Sequence, residues 1–234
     1  MIKRICLYIF AFVFRKNGPK VVFYHDIGVK YTSMGTHTDV FWAHMQLLRE
    51  GDIVCFDDGF RGIWDEREKL ANMSRSFKVI VFVAIGLVGE QGYLTWDEIK
   101  KLQDDCGIEF QCHSWSHQSL AGPWNEAVYI PSSGRTEDWF RHELVDSKVV
   151  LEEKLGKTVS ALCFPLGYFS DDIIQRCKDA GYMKVYASYP GDVAHGYVQP
   201  RCLVQDLSVC EFKSVLNGGM NLMVSRYRKR HKIK

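Results

Sequence analysis

The sequence lacks a hydrophobic run long enough to cross a membrane. Its most apolar stretch, Ile5–Phe14, has ten residues, whereas a helix that spans a bilayer needs about 20. Basic residues flank this stretch, but no small-residue cleavage site follows it before the first predicted strand, so a cleaved signal peptide is not favoured. We instead predict a retained helix that packs on the domain or lies on a membrane surface, where its basic flanks would suit anionic lipid.

The net charge is also small, and the cysteines show no pairing pattern. A net charge of +2 gives no general reason to expect nucleic acid as a partner. The eight cysteines include no Cys-x-x-Cys pair and no dense framework, which argues against a disulfide scaffold and favours a reducing compartment. We therefore expect a cytoplasmic protein, or one held peripherally at the membrane face.

Neither a linker nor an internal repeat divides the chain. A chain of 234 residues with 47% hydrophobic content can bury one large core. We predict an apolar and basic N-terminal segment over 1–19, one compact domain over 20–217 and a basic tail over 218–234. The cluster 226–234 either contacts anionic lipid or is a disordered, solubilising end. The sequence does not predict an oligomeric state.

Strand and helix patterns alternate along the domain. Short apolar runs are typical of buried strands, and longer amphipathic stretches are typical of helices. This order predicts an α/β fold with a largely parallel barrel. The predicted elements are 20–25, 39–50, 53–56, 78–84, 96–104, 108–112, 136–155, 160–164, 170–180, 183–188 and 198–204.

Two of the predicted strands end in metal-ligating residue types. Ile53–Phe56 is followed by the acid pair Asp57-Asp58, and the strand over 108–112 is followed by His113 and His117. Two neutral imidazoles and one carboxylate can hold a divalent ion with positions left open for water and a substrate oxygen, and a second carboxylate can deprotonate that water. Because both strands deliver these residues at their carboxyl ends, the pattern favours metal-assisted hydrolysis.

Each half of this pattern also has a simpler interpretation. Adjacent aspartates occur twice more, at Asp104-Asp105 and Asp171-Asp172, where polar helical surroundings indicate surface charges. One histidine pair at this spacing is suggestive without being decisive. The remaining histidines lack a partner at ligand spacing and stay unassigned: His37, His44, His142, His195 and His231.

Together these segments resemble the polysaccharide deacetylases of carbohydrate esterase family four, over roughly residues 20–204. The first motif of that family, Thr-Phe-Asp-Asp-Gly, appears as Cys55–Gly59, and the second, His-Ser/Thr-x-x-His, as His113–His117. The third, an apolar strand ending in Tyr-Pro-Tyr-Gly, is matched more loosely by Cys163–Gly167. The resemblance implies a distorted (β/α) barrel, for which we expect seven strands or slightly fewer, and makes 20–217 a catalytic domain.

The resemblance also implies roles for individual residues. Asp58, His113 and His117 would bind a divalent metal, with zinc favoured and cobalt or nickel as alternatives. Asp57 would be the base that takes a proton from water. In the third segment Pro165 would line the substrate site, and the backbone N–H of Leu166 would stabilise the oxyanion as well as tyrosine does there. The change from tyrosine to leucine instead alters the aromatic wall of the sugar site.

Two further roles follow from the same resemblance. Tyr24-His25-Asp26 resembles the segment that supplies the acid histidine in the poly-N-acetylglucosamine deacetylase branch, so His25 is assigned as general acid; the alternative is a buried structural histidine. Asp26 either orients that ring or caps a turn. Arg201, in a Gln-Pro-Arg segment, would pair with Asp57 and keep it ionised, or would be an ordinary surface arginine.

The chain departs from the family pattern in two regions. Residues 40–52 are short, because only Gly51 and Asp52 separate a helix from the acidic strand; the barrel is therefore expected to be more open there, or its first strand to sit differently. The loop over 122–135 is long, and its Trp124 and Tyr129 either stack on a sugar ring or pack on the domain.

The expected function is a metal-dependent hydrolase that removes N-acetyl groups from amino sugars of a polysaccharide, an oligosaccharide or a lipid-linked glycan. An O-deacetylase of the same fold is an alternative, because the same chemistry serves esters. A third reading is a non-catalytic glycan-binding or assembly protein, which the short region and Leu166 would support.

Overall fold

A computed structural model of the protein describes residues 20–73, 76–121, 135–188, 196–205 and 207–219. The predicted N-terminal segment 1–19, the loop residues Trp124 and Tyr129, and the basic tail from residue 220 lie outside these ranges. No helix in the described part of the chain is long and apolar enough to cross a membrane.

The described residues form a parallel sheet of eight strands and a separate two-stranded sheet. The small sheet pairs β2 with β3. The large sheet has the order β10-β1-β4-β5-β6-β7-β8-β9. Within it, β1 pairs with β4 from Val21 opposite Ile53 to Tyr24 opposite Phe56. The strands are β1 Val21–Tyr24, β2 Asp26–Ile27, β3 Gly35–Thr36, β4 Ile53–Phe56, β5 Lys78–Val83, β6 Glu109–Cys112, β7 Ala161–Cys163, β8 Lys184–Ala187, β9 Val198–Pro200 and β10 Cys202–Leu203.

The last two strands bring the edges of the large sheet together. β9 pairs with β8, and β10 pairs with β1, although only Arg201 separates them in sequence. The result is a nearly closed, barrel-like parallel sheet, as predicted, but with eight strands rather than seven. The extra strand arises because the predicted strand 198–204 divides at Arg201, whose N–H still donates to the Ala187 carbonyl of β8 at 3.1 Å, whereas Cys202 and Leu203 pair with β1. The fully buried Arg201 side chain contacts residues inside the barrel.

Strand alternation separates the core into two layers. Side chains inside the barrel form a small cluster: Val21, Phe23, Cys55, Ile80, Phe82, Ala161, Cys163 and Tyr186. Their neighbours along each strand, such as Val22 and Tyr24, belong to the large core outside the sheet that also includes buried helix residues such as Phe41 and Ile99. Polar groups placed inside the barrel are therefore surrounded by a small apolar cluster.

Helices cover the outside of the sheet. The predicted helix over 96–104 is confirmed and extends to Cys106; a capping box between Thr95 and Glu98 starts it, and Gly107 ends it with a φ of 67°. The prediction missed the two short helices after the acid pair. The helices are α1 Thr38–Met45, α2 Gly62–Asp65, α3 Arg67–Met73, α4 Trp96–Cys106, α5 Glu137–Arg141, α6 Ser147–Leu155, α7 Asp171–Asp179 and α8 Val209–Ser214, with 3₁₀ turns at Ile85–Leu87 and Pro165–Gly167 and π turns at His142–Asp146 and Val215–Gly219.

The short region before β4 does not open the barrel. β1 pairs with β4 along four residues, without a strand between them. The Asp52 carboxylate stabilises this junction, because it accepts hydrogen bonds from the backbone N–H groups of Lys20 at 2.8 Å and Arg49 at 2.9 Å. The expectation of a more open barrel on this side is therefore wrong.

Candidate metal centre

Asp58, His113 and His117 converge at the carboxyl ends of β4 and β6. Asp58 Oδ1 lies 3.3 Å from His113 Nε2 and 2.9 Å from His117 Nε2. Asp58 and His113 are buried, whereas the His117 side chain is 26% exposed. Asp58 and His117 both have left-handed backbone conformations, with φ of 69° and 58°. Such conformations are costly for residues other than glycine and cluster at functional sites.

The His113 ring is oriented by β7. Its Nδ1 lies 2.9 Å from the carbonyl oxygen of Cys163. Because a carbonyl only accepts hydrogen bonds, Nδ1 carries a proton, and Nε2 faces Asp58, where it would offer its lone pair to a bound cation. This arrangement, with the far nitrogen of a histidine held by a backbone carbonyl, is typical of metal ligands.

The three side chains fit a divalent cation. Each offers a ligand atom, and these atoms lie within 4.8 Å of one another. Asp58 Oδ1 is buried and makes no well-aligned hydrogen bond among the described residues, although both imidazole nitrogens lie within 3.3 Å of it. Burial alone would raise the pKa of Asp58, but the two imidazoles hold it well below its usual value, so the carboxyl is ionised. Two nitrogens and one oxygen suit zinc, cobalt or nickel.

Asp57 forms a buried ion pair with Arg201. Arg201 Nη1 and Nη2 donate to the two carboxylate oxygens at 2.6 and 2.7 Å. The guanidinium is fully buried and lies over the Phe23 ring, with 4.2 Å from its central carbon to the ring centroid. Burial opposes ionisation of Asp57, but Arg201 outweighs it and lowers the pKa of the carboxyl below its usual value. The alternative of a surface arginine is therefore wrong.

His25 follows β1, and a residue from the end of β10 orients it. Its Nδ1 lies 2.6 Å from Gln205 Oε1. The ring is close enough to Asp57 to contribute, after Arg201 and His113, to the lowered pKa of that carboxyl. His25 is only half-buried, so the alternative of a buried structural histidine is not supported.

Asp26 has a local structural role. Its Oδ1 accepts the N–H of Ile27 at 2.9 Å and also lies against the start of α2, where a Cβ on Gly62 would come within 2.4 Å of it. Burial raises the pKa of Asp26 to about 7 despite these backbone hydrogen bonds. Of the two alternatives for Asp26, the structure supports the turn.

The third predicted segment forms a tight turn beyond β7. Pro165 and Gly167 are buried, whereas the Leu166 side chain is 57% exposed. Leu166 has a φ of 58°, again left-handed. None of the described residues accepts a hydrogen bond from its backbone N–H. An exposed side chain and a free N–H at the same residue are consistent with a position that faces a ligand.

Three residues at the site were not singled out from the sequence. The Glu143 carboxylate contacts the turn between the two histidines, Gln205 contacts His25, and the Cys163 thiol lies 2.8 Å from Arg201 Nη2 and 3.8 Å from Asp57 Oδ2. Cys55 also lies inside the barrel near Arg201, whereas Cys112 faces Ser147 outside it. The position of Cys163, as the first residue of the third motif, was the available sequence signal.

A second set of candidate ligands contains Asp57, His113 and Cys163. It is a poorer cation site, because Arg201 already donates to both Asp57 and Cys163 and its positive charge opposes a cation there. Among the residues that the structure describes, no Lys or Arg forms an ion pair with the set that contains Asp58. The geometry therefore favours Asp58, His113 and His117 as ligands, with Asp57 held beside them.

Comparison with known proteins identifies a family model and a curated relative of the same description. The family model described as polysaccharide deacetylase matches residues 52–185, more than half of the 234-residue chain. The putative polysaccharide deacetylase YxkH of Bacillus subtilis (strain 168) is 19% identical over 139 residues, or 59% of this chain. The match spans 45% of that relative's length.

Solved structures show the same fold at low identity. The polysaccharide deacetylase BC0361 from Bacillus cereus is 20% identical with a TM-score of 0.71, covering 86% of this chain and 69% of that one. The Streptococcus pyogenes deacetylase PplD is 19% identical with a TM-score of 0.66, covering 82% and 95%. IcaB from Ammonifex degensii is 17% identical with a TM-score of 0.66, covering 88% and 98%.

Proposed function

Because this chain belongs to the polysaccharide deacetylase family, we propose that it is a metal-dependent hydrolase that removes N-acetyl groups from amino sugars of a polysaccharide, an oligosaccharide or a lipid-linked glycan. The reaction adds water across the amide: the carbonyl carbon gains the water oxygen, the carbon–nitrogen bond breaks, and acetate and an amine are released. The observation that carries the proposal is the placement of Asp57 beside Asp58, His113 and His117.

Asp58, His113 and His117 would hold the cation, with zinc favoured. A divalent ion at such a site polarises a carbonyl oxygen and lowers the pKa of water. His113 is oriented for this role by its hydrogen bond to the Cys163 carbonyl, and ionised Asp58 supplies negative charge that compensates the ion. His117, the most exposed of the three, leaves the solvent side of the site accessible.

Asp57 would be the general base. Its low pKa keeps it ionised at neutral pH, and Arg201 uses one lone pair on each carboxylate oxygen. Each oxygen has a second lone pair, so the carboxylate can still accept the proton of the attacking water. The rigid pairing with Arg201 also fixes the direction in which those lone pairs point.

His25 would be the general acid that protonates the leaving amine. Gln205 orients the ring through Nδ1, which leaves Nε2 to exchange protons with the substrate. This role, together with the Tyr24-His25-Asp26 segment, supports placing the chain near the poly-N-acetylglucosamine deacetylase branch. Across the site, the free N–H of Leu166 would donate to the oxyanion, and Pro165 would line the substrate site.

Acetate release from N-acetylglucosamine oligomers tests the proposal. Purified protein, with zinc, cobalt or nickel added, should release acetate only when metal is present. A parallel assay with O-acetylated substrates distinguishes amide from ester hydrolysis. Protein that binds metal and acetylated glycan but releases no acetate would contradict the proposal and favour a non-catalytic glycan-binding role.

A further inference from the structure

One buried carboxylate holds the middle of the turn that carries both histidine ligands. Glu143 Oε2 accepts the backbone N–H groups of Trp115 at 2.9 Å and Ser116 at 3.0 Å. Its other oxygen, Oε1, accepts the Ser116 hydroxyl at 2.6 Å. All three contacts fall between His113 and His117, and Glu143 itself is almost fully buried. A carboxylate is a strong acceptor for such donors, because hydrogen bonds to ionised groups are shorter and stronger than neutral ones.

We propose that Glu143 is a positioning residue that fixes the His113–His117 turn for metal binding, and that the π turn in the helix places it there. The inference rests on the proposed function only in taking these two histidines as metal ligands. Glu143 contacts neither histidine side chain directly in the described hydrogen bonds. It acts through the backbone between them.

The π turn His142–Asp146 interrupts what would otherwise be one helix from α5 to α6. The Ser147 N–H donates to the His142 carbonyl, five residues earlier. Two carbonyls within the turn find other donors: Ser147 Oγ donates to the Glu143 carbonyl at 2.6 Å, and the Tyr182 hydroxyl donates to the Leu144 carbonyl at 2.8 Å. Single π turns inside α-helices are rare overall, and those that occur are often at functional sites.

The same helix region holds the turn at two further points. Cys112, the residue before His113, lies with its sulfur 3.3 Å from Ser147 Oγ. The Trp115 ring packs on the His142 ring with 4.2 Å between centroids. The start of the histidine turn is thus connected to Ser147, and its middle is held by His142 and Glu143.

The turn needs such support because of its backbone. Ser114 and His117 both have left-handed conformations, with φ of 63° and 58°. Conformations of this kind persist only where the surroundings determine them. Without the carboxylate, the two N–H groups of Trp115 and Ser116 would lose their acceptor, and the turn could relax and move the histidines apart.

Substitutions at Glu143 separate this role from a general effect on stability. Glu143→Ala removes all three contacts, and we expect cobalt affinity to fall by about 10- to 100-fold, as is usual when a residue that orients metal ligands is lost. Glu143→Gln keeps the shape: its carbonyl can accept both N–H groups, and its amide can donate to Ser116 Oγ. It should therefore restore most of the affinity.

Glu152→Ala is the matched control. Glu152 is on α6, the helix that directly follows the π turn. Its Oε1 accepts the backbone N–H of Val159 at 2.9 Å, away from the histidines. It tests the loss of a carboxylate that accepts a backbone N–H in the same helix region. Cobalt affinity should not change in this variant, even where its melting temperature falls.

The experiment is a cobalt titration of the full chain, with the dissociation constant and the visible absorption of bound cobalt measured for each protein. Weaker binding or an altered spectrum in Glu143→Ala, with rescue by Glu143→Gln, supports the inference. Wild-type affinity and spectrum in Glu143→Ala would overturn it, as would a Gln variant as weak as the Ala variant. Absence of cobalt binding in the wild-type protein would instead overturn the proposed function.

A second variant covers the case in which Glu143→Ala does not fold. Ser116→Ala removes the hydroxyl contact to Glu143, together with a weak hydrogen bond of 3.4 Å from the Gln118 N–H, and leaves the carboxylate with its two backbone donors. It should still weaken cobalt binding, by several-fold. An unchanged dissociation constant in Ser116→Ala would then overturn the inference.

Discussion

At the scale of single residues, the buried pair of Asp57 and Arg201 sets the charge state of the site. The folded carboxyl has a lower pKa than in the unfolded chain, so its contribution to stability is fully present above the unfolded pKa of about 3.9. That contribution is lost as the pH falls through the folded pKa. The Asp57 carboxylate therefore stays ionised, and the pair stays intact, throughout the neutral range.

Removing the guanidinium should have a large effect on both stability and pH dependence. Arg201→Met leaves Asp57 buried without its partner, which should cost about 3–5 kcal/mol of unfolding free energy. It should also raise the pKa of Asp57. As the pH is lowered, Asp57 is then protonated earlier, so the acidic limb of the activity profile should move to a higher pH than in the wild-type protein. Denaturant unfolding and a pH–rate profile measure the two effects.

Arg176 offers a matched control for that variant. It forms a bidentate pair with Glu137, at 2.6 and 2.8 Å, and also donates to Asp172 at 3.0 Å, but the two carboxylate side chains are 79% and 68% exposed. Arg176→Met should therefore cost no more than about 1 kcal/mol. Equal losses in the two variants would show that burial of the Asp57 pair has no special energetic role.

Sequence reasoning was strongest for residues that carry their own chemical signal. Asp58, His113 and His117 combine ligand chemistry with strand-end positions, and the structure brings them together. Glu143 and Gln205 reach the site from distant parts of the chain, on a helix and after β10. The segment 142–147 resembles the family, but neither that resemblance nor the residue type indicates what Glu143 contacts, because only the fold decides it.

At the scale of elements, the turn after β7 depends on close packing against the residue after β8. Gly167 has a φ of 75°, and a Cβ there would lie 2.7 Å from Ser188 Cβ. Ser188 Oγ in turn accepts a hydrogen bond from Arg201 Nη2 at 3.3 Å. A side chain at position 167 would therefore disturb both the Leu166 turn and the surroundings of the Asp57 pair.

Gly167→Ala should lower both stability and turnover. Gly156→Ala is the control, because Gly156 has a φ of 65° with no atom within 4 Å of the added Cβ. Both variants pay the left-handed penalty of about 1–2 kcal/mol. Thermal unfolding should show a larger loss for Gly167→Ala, and only this variant should lose activity. Equal losses and unchanged activity would contradict the packing described for the turn.

Element prediction succeeded where periodicity was long and flanked by capping residues. Helix α4, with its capping box and C-terminal glycine, was predicted nearly to its ends. The region 136–155 was predicted as one helix. Its π turn was missed, because one additional residue in a single turn changes the hydrophobic periodicity too little to be detected. The short helices α2 and α3 were missed, since four to seven residues carry too little periodic signal.

At the scale of the whole molecule, the strands around Arg201 link the closing edges of the sheet to the site. β9 and β10 lie on either side of the residue that pairs with Asp57, so the segment that brings the edges together also places Arg201 at the candidate site. The sequence predicted the parallel barrel from its alternating elements. It could not predict eight strands, because the division at Arg201 reflects pairing first with β8 and then with β1, which only the fold decides.

Metal removal should destabilise the whole domain. A ligand that binds only the folded state, at about 100 times its dissociation constant, adds about 2.7 kcal/mol of stability. A chelator should therefore lower the melting temperature of the metal-loaded wild-type protein. His117→Ala removes one of the three ligands and should abolish this difference. An identical shift in that variant would place the stabilising metal elsewhere.

The most direct test of the account is to measure acetate release and bound metal together in wild type, Asp57→Asn and His113→Ala, with N-acetylglucosamine oligomers as substrate. We predict that Asp57→Asn keeps its metal but loses turnover by at least about 100-fold, the usual contribution of a general base. His113→Ala should lose both the metal and activity. Full activity in either variant would contradict the assignment of base and ligands.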